Sequence, residues 1–150
     1  LVLAGPCSSN DVTEYVKQAV CSHPDNISYL GPIYGDRKER FYDDLDVLLF
    51  PTEYINEAQP LVIHEALSKG VAVAAYARAC AAEDLEGEGC YAVAPSESFV
   101  EAAIPWLMQL SKSRANILAA GAAARDRFEQ LRARHDVEFE VFLQKMLGNG

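Results

Sequence analysis

Short apolar runs alternate with longer amphipathic stretches along most of the chain. The runs span residues 1–4, 27–30, 47–50, 71–75 and 91–94. They are apolar at consecutive positions and not at every second one, which is typical of strands buried on both faces in a parallel sheet. The pattern therefore predicts five parallel strands covered by helices.

The stretches between and after the runs repeat their apolar residues at helical spacing. In the first, Asp11 is the expected cap, with Glu14 three residues further on. In another, Pro60 suits the first helical position and Gly70 the residue just past the end. The sequence predicts helices from Asp11 onward and over 37–43, about 60–69, 98–110 and 114–147, the last with a break near His135.

Strands that alternate with helices over short connections are typical of a doubly wound α/β domain. We expect a Rossmann-like parallel sheet of about five strands with helices on both faces, and residues 1–150 as a single domain. Ligands of such folds bind beyond the carboxyl ends of the strands. The candidate functional residues therefore lie in the segments 5–6, 31–33, 51–59 and 76–83.

Charge and composition limit the kinds of partner that the chain is expected to bind. Half of the 150 residues are hydrophobic, and 22 acidic residues against 13 basic ones give a net charge of −9. A nucleic acid needs a basic face, so we expect no such partner. No apolar run approaches the roughly 20 residues that span a bilayer. The chain opens on Leu1 inside its first apolar run, so we expect it to be part of a longer protein.

The cysteines and histidines do not have the spacing of a metal site. We therefore expect no metal, and interpret the thiols as structural or idle in a reducing compartment. His64 is interpreted as a packing or surface histidine and not as a phosphate contact. The residues concerned are Cys7, Cys21, Cys80, Cys90, His23, His64 and His135.

Two glutamates, Glu57 and Glu65, flank the start of the helix predicted near Pro60. The free amides of a helix N-terminus attract an anion such as a diphosphate. Beside them, Glu57 would accept hydrogen bonds from sugar hydroxyls, whereas Glu65, about two turns deeper, would hold the hydroxyls of a ribose. Taken alone, such a pair is more often solvated or capping, because glutamate is mostly exposed.

The segment from Pro51 to Val73 resembles the C-terminal signature of glycosyltransferase family 4. That signature has Pro-Ser, a glutamate, seven residues, Glu-Ala, a small stretch, a glycine and an apolar strand. The matching residues are Pro51-Thr52, Glu57, Glu65-Ala66, Gly70 and Val71-Ala72-Val73. Weaker likenesses lie in 1–6, 26–33, 40–50 and 87–95 and at Glu83, so the resemblance covers Leu1 to about Phe128.

The resemblance implies the donor-binding, C-terminal half of a GT-B fold in a retaining glycosyltransferase of hexosyltransferase type. Its substrate is then a nucleotide-diphosphate sugar, with no metal or other cofactor. Glu57 would contact the donor sugar near the reacting carbon and is the candidate catalytic residue. Glu65 would contact the ribose or the sugar-phosphate region, Ile33 would pack on the nucleobase, and Thr52 is a further donor-binding candidate.

Two departures from the family pattern lie beside these residues. After the first glutamate the family has Gly-Phe-Gly, whose backbone amides hold the donor, but this chain has Ala58-Gln59-Pro60. Pro60 has no amide to give, so the Gln59 side chain is the candidate replacement donor. In addition, Ala79-Cys80 stands where two glycines are usual.

The family also has one more strand and helix before the first run, which carry an Arg and a Lys that clamp the diphosphate. We expect this segment and the N-terminal acceptor domain to be absent from the chain, and the fragment to be inactive alone. The missing strand would belong between the runs 1–4 and 47–50. Strand edges left exposed there would favour self-association.

Two alternatives stay open from the sequence. A nucleotide-sugar epimerase shares the GT-B architecture, but its acid and base groups would lie in the other half. A non-catalytic α/β nucleotide-binding module, receiver-like or flavin-binding, is the second, although Gly5-Pro6-Cys7 lacks the acidic pair of a receiver. The acceptor is left open as a sugar, a lipid-linked sugar or a small molecule. We expect a cytoplasmic protein, either free or peripheral to the membrane in its full length.

Overall fold

The computed structural model describes residues 1–54 and 58–148. The chain divides into two compact units, Leu1–Asp43 and Asp44–Gly150, here called unit 1 and unit 2. The described strands form one parallel sheet in each unit.

Unit 1 is a single strand–helix–strand arrangement followed by a helix. Its elements are β1 (Val2–Leu3), α1 (Asn10–Ser22), β2 (Ser28–Tyr29) and α2 (Asp36–Asp43). Strands β1 and β2 pair in parallel, and the turns that follow them are joined because the Gly5 amide donates to the Gly31 carbonyl at 2.9 Å.

The cap of α1 differs from the prediction. Ser9, and not Asp11, is the N-cap, and its hydroxyl accepts from the Val12 amide at 3.2 Å. Ser9 has the extended backbone (φ −153°, ψ 169°) that lets a cap side chain reach an amide three residues on. Asp11 lies instead within the first turn, where its charge still complements the helix dipole.

Unit 2 contains three strands and four helices among its described residues. They are β3 (Val47–Phe50), α3 (Leu61–Ser68), β4 (Ala72–Tyr76), α4 (Ala81–Asp84), β5 (Cys90–Val93), α5 (Phe99–Ser111) and α6 (Arg114–Leu147). Strand β4 is central and pairs in parallel with β3 and β5. Every residue of β4 is buried, so both of its faces are covered, as expected for the middle of a parallel sheet.

The core of unit 2 follows from the alternation of side chains along β4. Ala74 and Tyr76 pack with Val93 and with Phe99 and Ala103 of α5. At the other end of the strand, Ala72 packs with Leu110 and Ala120, at the junction of α5 and α6. Small residues in β4 therefore let α5 and α6 lie close to the sheet.

The predicted alternation of five parallel strands with helices is confirmed, although the described strands form two sheets and not one. The break predicted near His135 is wrong, because α6 runs continuously from Arg114 to Leu147 and has no proline at which to break. Pro60 is the N-cap of α3 and not its first helical residue. Helix α4 was not predicted at all. That a further strand belongs between β1 and β3 stays a prediction.

Within the described residues, no helix combines the length and the apolarity that crossing a bilayer requires.

Candidate functional site

The loops after β3 and β4 meet at the carboxyl edge of the unit 2 sheet. Strand β3 ends at Phe50 and β4 at Tyr76. The Cys80 amide, in the loop after β4, donates to the Ala58 carbonyl at 3.4 Å. This contact brings the end of the predicted segment 51–59, at Ala58, next to Cys80 of the predicted segment 76–83, at the edge where ligands of such folds bind.

The N-terminus of α3 lies in this edge. Its N-cap, Pro60, is buried and makes no hydrogen bond through its side chain, and the first turn contains no acidic residue. Ile63, Ala66 and Leu67 are each 0% exposed, so the helix is anchored by its apolar face. The positive end of the helix dipole is thus not neutralised by its own cap or first turn, which leaves it suited to an anion.

A chain of three polar side chains runs beside this helix end. The Gln59 side-chain amide lies 3.0 Å from Nε2 of His64, and the same Nε2 lies 2.9 Å from Oδ2 of Asp84. Asp84 is only 1% exposed, and its Oδ1 has no hydrogen-bond partner among the described residues. His64 is therefore the side chain that compensates the burial of this carboxylate.

Arg127 of α6 holds the segment that carries Asp84. Its guanidinium donates to the backbone carbonyl of Asp84 at 3.2 Å and to that of Glu83. These bonds satisfy carbonyls at the end of α4 and fix the position of the short helix. The ring of His135, also on α6, lies 6.0 Å from the ring of His64, centroid to centroid.

The residues predicted for the site have the following positions. Glu65 is half-buried in the middle of α3, and Gln59 is half-buried at the entrance to that helix. Thr52 is half-buried in the loop after β3, where its hydroxyl accepts from the Tyr54 amide at 3.2 Å. Ile33 is half-buried in unit 1, after β2. Glu57 lies outside the described residues.

The sequence analysis missed Asp84 and Arg127. His64 was interpreted as a packing or surface histidine, whereas its ring contacts a buried carboxylate. One signal was available, because a histidine between Ile63 and Ala66 of an apolar helix needs a polar partner. The acidic residues at 83, 84, 86 and 88 were all possible partners of His64. Only the fold of α4, which the sequence did not reveal, identifies Asp84 as the partner.

Unit 1 carries a smaller polar chain after β1. The Cys7 thiol donates to the Tyr29 hydroxyl at 3.3 Å, and that hydroxyl donates to the Gly5 carbonyl at 2.7 Å. The pKa of the Tyr29 phenol lies above its usual range, mainly because of the hydrogen bond with Cys7 and to a smaller extent because of burial. Through the hydrogen bond that it donates to the Gly5 carbonyl, the phenol fastens the glycine turn after β1.

No group of three or more His, Cys, Asp or Glu side chains able to hold a metal ion is found among residues 1–54 and 58–148.

Parallel strands that alternate with helices, with polar side chains and a free helix N-terminus at the carboxyl edge, define a Rossmann-like α/β domain. The chain belongs to the family described as "Glycosyl transferases group 1", whose profile matches residues 1–109. This match confirms the glycosyltransferase family that was recognised from Pro51 to Val73. Among curated protein sequences, none matches this chain.

Solved structures agree on the fold. Sucrose-phosphate synthase from Thermosynechococcus elongatus matches with a TM-score of 0.73 and 21% identity over 99% of this chain and 39% of its own. Anabaena HepE, solved in complex with UDP-glucose, matches with a TM-score of 0.67 and 18% identity over 86% of this chain and 35% of its own. AviGT4, a glycosyltransferase involved in avilamycin A biosynthesis, matches with a TM-score of 0.52 and 17% identity over 91% of this chain and 42% of its own.

The chain thus spans between 35% and 42% of the length of these structures. The prediction of a C-terminal GT-B half is confirmed at the level of the fold.

Proposed function

We propose that this chain forms the donor-binding half of a retaining glycosyltransferase, which transfers a hexosyl group from a nucleotide-diphosphate sugar. The observation that carries the proposal is the uncapped N-terminus of α3 at the carboxyl edge of the sheet, in a member of the group 1 glycosyltransferases. The acceptor, which is a sugar, a lipid-linked sugar or a small molecule, is held outside this chain. The chain by itself is inactive, and the protein acts in the cytoplasm.

The roles combine the charge and position of the described residues with what the family resemblance implies. The first amides of α3 bind the diphosphate, and the Gln59 side chain at the helix entrance replaces the amide that Pro60 lacks. Glu65, further along α3, accepts from ribose hydroxyls. Thr52 contributes to the donor loop, Ile33 packs on the base, and Glu57 contacts the sugar near the reacting carbon.

The chemistry places its largest demand on the leaving group. Transfer with retention passes through an oxocarbenium-like transition state, as in glycoside hydrolysis. Negative charge then develops on the departing nucleoside diphosphate. Backbone amides fixed at a helix N-terminus stabilise that charge without having to reorganise. Glu57 acts by positioning and electrostatics, and it is not assigned as a covalent nucleophile.

The base and the sugar are chosen by comparison. HepE was solved in complex with UDP-glucose, so UDP and UDP-glucose are the first ligands to test, with GDP and GDP-mannose beside them. Amide chemical shifts of the labelled chain would be followed during the titration.

We expect saturable shifts concentrated in residues 58–65 and in the loop 77–80. Free glucose is the control ligand and should leave these amides unmoved. Shifts that are absent with all four nucleotides, or that map to the C-terminal part of α6, would contradict the proposal.

A further inference from the structure

The two contacts of the His64 ring determine which face of the Gln59 amide is free. A ring nitrogen of histidine carries either one hydrogen or one lone pair. Nε2 lies 2.9 Å from a carboxylate oxygen of Asp84 and 3.0 Å from the Gln59 amide. A carboxylate is only an acceptor, so Nε2 must carry the hydrogen that it donates to Asp84.

The Gln59 group near Nε2 must then be its oxygen. An NH2 group there would oppose the ring N–H with a second donor, and a half-turn of the amide, which keeps its shape, removes the conflict. In that orientation the amide oxygen shares the ring hydrogen with Asp84. The NH2 group of Gln59 is then turned away from His64 and can donate to a ligand.

Burial makes this arrangement rigid. Asp84 is 1% exposed, and Arg127 fixes its backbone, so the carboxylate has a set position from which to orient the ring. The His64 side chain is itself only 16% exposed, and the helix that carries it is anchored by Ile63, which is 0% exposed. A glutamine side chain otherwise has several freely rotating bonds, and ordering it in advance lowers the entropic cost of binding.

We infer that His64 and Asp84 are positioning residues that hold Gln59 with its NH2 group directed to the anionic part of the bound donor. This inference rests on the proposed function, since it assigns a task to Gln59 in donor binding. The ordered Gln59 side chain then supplies the hydrogen bond that Pro60 cannot give. His64 and Asp84 themselves touch no substrate.

The test is a double-mutant cycle in which Gln59 is one partner and His64 with Asp84, here called the pair, is the other. Replacing both members of the pair, as His64→Leu with Asp84→Ala, removes the buried charge together with its partner at similar total volume, so that the variant folds. Calorimetry with UDP-glucose and GDP-mannose then measures the affinity of four proteins: the wild type, Gln59→Ala, the paired variant, and all three substitutions together.

In the wild-type background, we expect Gln59→Ala to weaken binding about tenfold, the usual effect of losing one hydrogen bond to a charged group. In the paired variant, the same substitution should cost no more than about twofold, because the amide is no longer held. Equal losses in the two backgrounds would overturn the inference, as would a paired variant that binds as tightly as the wild type.

Nuclear magnetic resonance separates this inference from the proposed function. The ring ¹⁵N shifts should show a proton on Nε2 of His64, and the Gln59 side-chain amide should have dispersed shifts that collapse to random-coil values in the paired variant. If the wild type binds neither nucleotide sugar, the proposed function fails while these spectra still decide the orientation of Gln59. A ring protonated only on Nδ1, or Gln59 signals unchanged in the paired variant, would refute the inference.

Discussion

Gly70 and Gly121 face each other where α3 leads into β4 and α6 passes by. A methyl group built on Gly121 would lie 2.6 Å from the Gly70 carbonyl oxygen, and one built on Gly70 would lie 3.2 Å from the Gly121 carbonyl oxygen. The Arg125 guanidinium donates to the Ser68 carbonyl in the same region. The absence of two side chains therefore lets α6 lie directly against the end of α3, the helix that carries the candidate site.

Gly121→Ala should destabilise the protein. Helix propensity alone favours alanine by about 1 kcal/mol, but the added methyl would require the two backbones to separate. We expect a net loss of about 1–3 kcal/mol in the free energy of unfolding, measured by urea denaturation. Ala119→Gly, an exposed change in the same helix, should cost only the propensity of about 1 kcal/mol. A Gly121→Ala variant more stable than the wild type would show that the close approach is absent.

Gly89→Ala should be more damaging than Gly87→Ala, two residues away. Both glycines have positive φ, +85° and +100°, so both substitutions carry backbone strain of about 1–3 kcal/mol. Only at Gly89 would the new Cβ also meet α6, at 2.3 Å from the Ala120 oxygen and 2.7 Å from the Ala124 nitrogen. We expect Gly89→Ala to lose at least about 2 kcal/mol more than Gly87→Ala in thermal or urea unfolding. Equal losses would mean that strain alone acts.

Leu131 and Leu118 lie on the same helix but differ in burial. Leu131 is 2% exposed and Leu118 is 59% exposed. Leu131→Ala should therefore cost about 2–5 kcal/mol, whereas Leu118→Ala should change stability by no more than about 0.5 kcal/mol. Urea denaturation of the two variants compares them directly. Similar losses at the two positions would place the packed face of α6 elsewhere.

The Cys90 thiol should react more slowly than those of Cys21 and Cys80. Burial raises the pKa of its thiol from 9.0 to about 11, although Arg127 acts in the opposite direction. At about pH 8, its thiolate fraction is then roughly 100-fold below that of an ordinary thiol. Cys21 and Cys80 are exposed, so timed alkylation with mass spectrometry should modify them first. Modification of Cys90 at the rate of Cys21 would contradict the burial of this thiol at the start of β5.

The same pKa shift affects stability at alkaline pH. The unfolded thiol ionises near 9 and the folded one near 11, so its contribution to stability is complete below pH 9 and is lost as the pH rises through 11. The free energy of unfolding of the wild type should therefore fall more steeply across this range than that of Cys90→Ala. Parallel profiles from urea denaturation would show that Cys90 does not titrate in this way.

The sequence was most informative where burial repeats along the chain. The runs at 47–50 and 71–75 are apolar at every position, and they became β3 and most of β4. The central strand β4 is buried throughout because both of its faces are covered, whereas β3 is half-buried at every position. The end of α3 was also predicted correctly at its glycine, since Gly70 has the positive φ of 71° that is common just after a helix.

It was least informative where a single side chain depends on distant ones. Ser9 and Asp11 are both good caps, and only the backbone angle at Ser9 decided between them. Asp84 looked like one acid among several, because its burial depends on His64, 20 residues earlier, and on Arg127, 43 residues later. The roles of Glu57, Glu65, Ile33, Gln59 and Thr52 in binding stay predictions.

The central claim is that α3 and its entrance bind a nucleotide-sugar donor, and calorimetry with Glu65→Ala tests it most directly. The wild type, Glu65→Ala and the control Glu140→Ala, an exposed change on α6, would each be titrated with UDP, GDP, UDP-glucose and GDP-mannose. We predict saturable binding of at least one nucleotide sugar, weakened about tenfold or more in Glu65→Ala by the loss of a charged hydrogen-bond acceptor and unchanged in Glu140→Ala. Binding that is absent from the wild type, or that Glu65→Ala leaves unchanged, would contradict the account.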